Sequence, residues 1–150
     1  MADVHDIATR SRNMAAIKGS HTKPELLIRK ALHAAGFRYR LHAKDLPGKP
    51  DLVLPRWQAV IFVHGCFWHQ HDCHLFKWPA TREDFWRAKI GRNAINDDKA
   101  VRALHEAGWR VGVVWECALK GRTRLDFTEA MQRLIAWILS DERAITIRGL

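Results

Sequence analysis

Apolar positions along the chain follow two periods, one helical and one of strands. Leu26, Leu27, Ala31, Leu32 and Ala35, with Lys30 among them, recur at three-to-four spacing, which predicts an amphipathic helix packed on a sheet. Thr22 can cap that helix, Pro24 suits its first turn, Glu25 stands where a capping box places a glutamate, and Gly36 ends it. Residues 37–41 alternate large side chains with arginine, the pattern of a half-exposed strand. Beyond the turn-rich residues 45–50, two β-favouring runs at 51–54 and 59–63 are split by Pro55 and predict a hairpin. Its second strand, AVIFV, should be central and buried. Periodicity lapses over residues 64–79 and resumes at Thr81, which reads as the cap of a long helix running towards Gly108, with a break expected near Gly91. Residues 109–115 predict another buried strand. Asp126 to Glu129 then opens a last helix with Ala130, Met131, Leu134, Ile135 and Ile138 on one face. The order helix, three strands, helix, strand, helix predicts a mixed α/β domain. It is preceded by an arm over residues 1–21 that carries Met14 and Ile17, and followed, past residue 140, by a frayed tail over 141–150.

Composition narrows this picture. A chain of 150 residues, 47% hydrophobic, suffices for one domain with an ordinary core. Its 25 Lys and Arg against 16 Asp and Glu leave a charge of +9, which points to a polyanionic partner. No apolar run approaches the roughly 18 residues of a membrane span, and the opening residues lack the apolar stretch of a secretory signal, so a soluble, cytoplasmic protein is expected. Three cysteines are an odd count, and beside histidines they suggest a metal rather than disulfides.

The aperiodic stretch carries the chemistry. His64, Cys66, His69, His71, Cys73 and His74 fall within eleven residues. Cys66, His71 and Cys73 can reach one tetrahedral zinc if the loop curls, and Cys117, at the end of a predicted strand, can supply a rigid fourth ligand. Such a closed site would be structural. The bland alternative makes the cysteines small buried hydrophobes and the histidines solvated. Pro50-Asp51 opens one hairpin strand and His64 leaves the next, so a carboxylate and an imidazole can converge where magnesium-dependent phosphodiester hydrolysis would need them. On spacing alone Asp51 reads as a turn aspartate more readily than as a ligand. Phe67, Trp68, Trp78, Phe85 and Trp86 surround the loop in a basic chain with seven tryptophans, and such aromatics can stack on bases or wedge between them. Trp57, Trp109, Trp115 and Trp137 sit on strand or helix patterns and read as core.

Taken together, Pro50-Asp51-Leu-Val, the run VIFVHGCFWH from Val60, Pro79-Ala-Thr-Arg ahead of Phe85-Trp86, Lys89-Ile-Gly with Asn93, and GWRVGVVWEC from Gly108 closely resemble the very short patch repair (Vsr) DNA mismatch endonucleases. The opening MADVHD and Thr9-Arg-Ser also match, and the resemblance runs from residue 1 to about residue 140. It implies a restriction-endonuclease-like (PD-(D/E)xK) fold, a mixed central sheet flanked by helices with a zinc-stabilised loop, that nicks duplex DNA 5′ of the thymine in T:G mismatches left by deamination of 5-methylcytosine. By the same resemblance Asp51 and the backbone carbonyl of Val63 would hold magnesium, His69 would act as general base with His64 assisting, and Glu25 and Asp97 would support the site. The implied zinc set is again Cys66, His71, Cys73 and Cys117. Phe67, Trp68 and Trp86 would form a wedge from the major groove, and Met14 and Ile17 would reach the minor groove. Implied partners are mismatched duplex DNA, a mismatch-repair matchmaker ATPase and a repair DNA polymerase, met by a monomer. Where the wider fold has an acid and a lysine two residues apart, this chain has Phe62 and His64. Glu25 reads as well as a helix cap as a supporting acid. The competing readings are a zinc-stapled DNA-binding module without hydrolysis and a restriction-type nuclease with another target.

Overall fold

Five strands form one sheet in the computed structural model, in which residues 22–150 are described. The arm over residues 1–21, with Met14 and Ile17, lies outside the described residues. Strands β1 (Arg40–Leu41), β2 (Leu52–Leu54), β3 (Ala59–His64), β4 (Arg110–Trp115) and β5 (Ala144–Ile147) lie side by side in chain order. The β2–β3 hairpin is antiparallel, as its short connection allows, with Leu54 opposite Ala59. The pairs β3–β4 and β4–β5 are parallel, which demands crossovers. Helix α2 (Glu83–Glu106) provides the first and α3 (Phe127–Ile138) the second.

Alternation along the strands divides the core between two faces. Leu52, Leu54, Ile61 and Val114 pack with Ile28 and Leu32 of helix α1 (Lys23–Ala34) and with Leu134 and Ile138 of α3. Val53, Val60, Phe62 and Val111 pack on the opposite face with Leu104 of α2. Strand β3 is apolar on both faces, and this makes it central. Each fully buried Leu or Ile contributes about 1.5–3 kcal/mol. The alternation also sends His64 to the α2 face at the carboxyl end of β3, directly across from Trp115 at the end of β4.

Two helices begin as the sequence predicts. Thr22 Oγ1 accepts from the Glu25 N–H at 3.4 Å, and Asp126 Oδ2 from the Glu129 N–H at 3.1 Å. Other expectations are corrected. The buried stripe of α1 is Glu25, Ile28 and Leu32, while Leu27 is exposed. Of residues 37–41 only Arg40 and Leu41 pair in the sheet, because Phe37 turns into the core against Trp57. Thr81 does not cap α2: its first turn follows Arg82, in left-handed conformation with no side-chain cap bond. Nor does Gly91 break it. Burial of Ile90, Ala100 and Leu104 offsets the roughly 1 kcal/mol a mid-helix glycine costs.

The largest correction concerns residues 141–150. Instead of fraying they supply β5, whose Ile147 is buried beside β4. Strand β4 needs backbone partners on both edges, and Ala144–Ile147 fills the second. Arg110 secures the connection, its guanidinium donating to the carbonyls of Trp57, Trp137, Ile138 and Glu142 while lying over the Trp137 ring. Among the described residues no helix is long and apolar enough to cross a membrane.

Candidate active site and metal centre

Because β2 runs antiparallel to β3, the start of β2 and the end of β3 share one edge of the domain, and Asp51 and His64 meet there. Asp51 Oδ2 accepts the Val63 N–H at 2.7 Å. Burial pushes the Asp51 carboxyl up to about 6, working against that hydrogen bond and helped by the neighbouring Glu25 charge. Glu25 is 1% exposed. Its carboxylate lies 2.8 Å from His42 Nε2 and 3.1 Å from Arg29 Nη1. The side chain therefore faces the site, and only its backbone N–H serves the cap at Thr22. Ligand atoms of Glu25, His42 and Asp51 come within 4.8 Å of one another. Asp51 and Glu25 offer the carboxylate oxygens that a hard divalent cation takes, while His42 is engaged with Glu25.

A second group stands beside it. His64 and His69 stack with ring centroids 3.8 Å apart and planes 7° from parallel. His69 Nδ1 hydrogen-bonds Asp97 Oδ2 on α2. A carboxylate at Nδ1 keeps the proton there, so the neutral His69 ring presents Nε2 as an acceptor. His64, buried next to two other imidazoles, is held well below the usual imidazole range and is neutral at physiological pH. Asp51, Val63, His64, His69 and Asp97 all line one cavity of about 800 Å³. Glu25 sits behind it.

The cysteine-rich loop closes on the other side of Trp115. Cys66, His71, Cys73 and Cys117 offer three sulfurs and a nitrogen within 4.8 Å of one another. Cys117 Sγ is 3.5 Å from His71 Nδ1. Burial raises the Cys66 and Cys117 thiols above their ordinary value, and burial together with the nearby Arg148 charge keeps His71 below its own. A neutral imidazole and three clustered thiols fit a tetrahedral, thiophilic cation such as zinc and are unsuited to magnesium. Glu116 Oε1 accepts the Cys66 N–H at 3.3 Å.

Phe67 and Trp68 line the cavity and Trp86 packs against both, with Phe67 edge-on to Trp68 at 5.1 Å and to Trp86 at 5.6 Å, and Trp68 at 5.7 Å from Trp86. The Asn93 amide donates to the Trp68 carbonyl at 3.0 Å and ties the loop to α2.

Sequence reasoning missed two residues. His42 carries no motif, and only the return of β1 beside β2 brings it to Glu25. Trp115 reads as core yet stacks on His71 at 4.0 Å and stands edge-on to His64 at 5.1 Å, joining the Cys/His cluster to the histidine pair. Its place at the end of a predicted strand, two residues before Cys117, was the available signal.

The family model described as DNA mismatch endonuclease Vsr matches residues 2–75. The DNA mismatch endonuclease Vsr of Escherichia coli (strain K12) is 49% identical over 141 residues, covering 94% of this chain and 90% of its own. The type II nicking enzyme V.XorIIP of Xanthomonas oryzae pv. oryzae is 48% identical over 71% of this chain and 78% of its own, and V.NmeAIP of Neisseria meningitidis is 44% identical over 81% and 87%. With identity at this level over nearly its whole length, the chain belongs to the Vsr family of DNA mismatch endonucleases.

Proposed function

We propose that this protein is a magnesium-dependent endonuclease of restriction-endonuclease-like fold that nicks duplex DNA 5′ of the thymine in a T:G mismatch, with a zinc ion stapling its loop. The observation that carries the reading is the meeting of Asp51 with the His64, His69 and Asp97 group around one open cavity, bordered by Phe67 and Trp68.

Magnesium bound at Asp51 and the Val63 carbonyl would supply charge neutralisation for the scissile phosphate and its leaving oxygen. The chain's own residues do the rest. His69 Nε2 accepts the proton of the attacking water, and Asp97 holds the ring in the required tautomer and stabilises the imidazolium that forms. His64, kept uncharged by burial, lies flat against that ring and orients it without adding a like charge. Glu25 backs Asp51, fixed by His42 and Arg29. Phe67, Trp68 and Trp86 enter the duplex beside the mismatch, where a poorly paired step is cheapest to unstack. The +9 charge supplies sequence-independent attraction to phosphate. A monomer acting with a matchmaker ATPase and handing its nick to a repair polymerase, in the bacterial cytoplasm, accords with the same reading.

The test uses purified protein, magnesium and end-labelled duplexes that differ only in a T:G mismatch or a T:A pair, across randomised flanking bases. Nicking confined to the mismatched thymine strand is expected. Cutting of both duplexes would replace this reading with a restriction-type nuclease, and binding without cutting would replace it with an inert zinc module.

A further inference from the structure

Residues 148–150 run from the end of β5 across the Cys/His centre and touch both segments that supply its ligands. Arg148 donates to Asp72 Oδ1 at 2.8 Å and to the Asp72 carbonyl at 3.1 Å, holding the turn between His71 and Cys73. The Gly149 N–H donates to Cys117 Sγ at 3.3 Å. The Leu150 N–H donates to the Thr123 carbonyl at 2.8 Å, beyond Cys117 in the chain. The approach is tight enough to require glycine: a Cβ on Gly149 would lie 2.5 Å from both the Cys117 carbonyl oxygen and Thr123 Oγ1.

Three thiolates around a dication leave one net negative charge in a largely buried place. An N–H aimed at one sulfur and a guanidinium close by both favour that charge. The Arg148–Asp72 pair is solvent-exposed, so its contribution is registration more than energy. The Gly149 bond reaches a fully buried residue.

We propose that residues 148–150 are a strap that positions the Cys66, His71, Cys73 and Cys117 centre, hydrogen-bonding one of its thiolates and locking its two ligand-bearing segments together. This rests on the reading of that centre as a zinc site. Partners of metal ligands typically change affinity by about ten- to a hundredfold. Removal of residues 148–150 from the zinc-loaded protein is accordingly expected to speed zinc transfer to a competing chromogenic chelator about tenfold or more. Gly149→Ala, which leaves the sheet intact and pushes the strap outward, should act in the same direction, and Arg148→Lys should retain more of the wild-type behaviour than Arg148→Met. In the cobalt-substituted protein, loss of the N–H···S bond should move the thiolate-to-cobalt charge-transfer band to lower energy, a change that destabilisation alone would not produce. Zinc-loaded wild type together with variants of unaltered release and unshifted band would overturn the strap alone. Wild type without stoichiometric zinc would overturn the zinc reading and the strap together.

Discussion

Replacing Asp51 with asparagine should make the magnesium-free protein more stable while abolishing its nicking. The carboxyl is pushed from 3.8 to about 6, chiefly by burial. A shift of about two units at about 1.4 kcal/mol per unit is about 3 kcal/mol, and partial solvent access brings the expected figure to about 2–3 kcal/mol. The sign follows from proton binding. Below 3.8 Asp51 is protonated in both the folded and the unfolded chain, and the wild type pays no penalty. From 3.8 to about 6 the unfolded chain releases the proton while the folded one keeps it, so stability falls as pH rises. Above about 6 the loss is complete. Asparagine keeps an oxygen for the Val63 N–H and removes repulsion with Glu25, so its advantage should grow between pH 4 and pH 7 and then level off. For a chain of this size each kcal/mol moves Tm by about 2–4 °C, which gives a gain of roughly 4–12 °C at pH 8 without magnesium. Thermal unfolding of both proteins from pH 4 to 8, with and without magnesium, is the assay. Added magnesium should raise the wild-type Tm and leave Asp51→Asn where it was. A variant with the same Tm as wild type at pH 8, or one destabilised equally at every pH, would refute the reasoning that this carboxylate is held charged at a cost until a cation arrives.

Other outcomes follow from the same geometry. Asp97→Asn presents an amide to His69 Nδ1 and favours the tautomer with Nε2 protonated, so single-turnover nicking should slow by about a thousandfold or more with DNA affinity little changed; a modest loss would show that His69 is not the base. Cys117→Ser should lose bound zinc, read by elemental analysis, and several kcal/mol of stability, because structural metal binding is coupled to folding; retained zinc would refute the ligand set. Trp68→Ala should reduce preference for T:G over paired duplex by roughly ten- to a hundredfold, since a stacking contact contributes about 1–3 kcal/mol. Equal losses on both duplexes would make Trp68 a packing residue.

Much of this was legible along the chain. The central strand announced itself in Val60, Ile61 and Phe62 because apolar faces on both sides leave no polar position to interrupt the run. Thr22 was readable as a cap, and Asp126 as the start of the last helix, because a helix start is satisfied within its own first turn. The Cys/His grouping was readable because three of its members lie within eight residues and the fourth is the remaining cysteine. Glu25 shows where local reasoning runs out: its spacing suits a capping box, and nothing nearby tells that His42, 17 residues on, will meet its carboxylate inside the fold.

Residues 141–150 erred for a similar reason. Ala144–Ile147 is too short and too weakly patterned to identify itself, and becomes a strand because the open edge of β4 offers backbone partners. Covalent neighbours and periodicity established which residue types could do chemistry, since ligand identity and strand burial are properties of local composition. Packing set the rest: the strand order, which face each side chain takes, the meeting of His69 with Asp97, the meeting of His42 with Glu25 and the cost of charging Asp51. Those depend on groups far apart in the chain being brought into one low-dielectric place, and no local pattern encodes that distance.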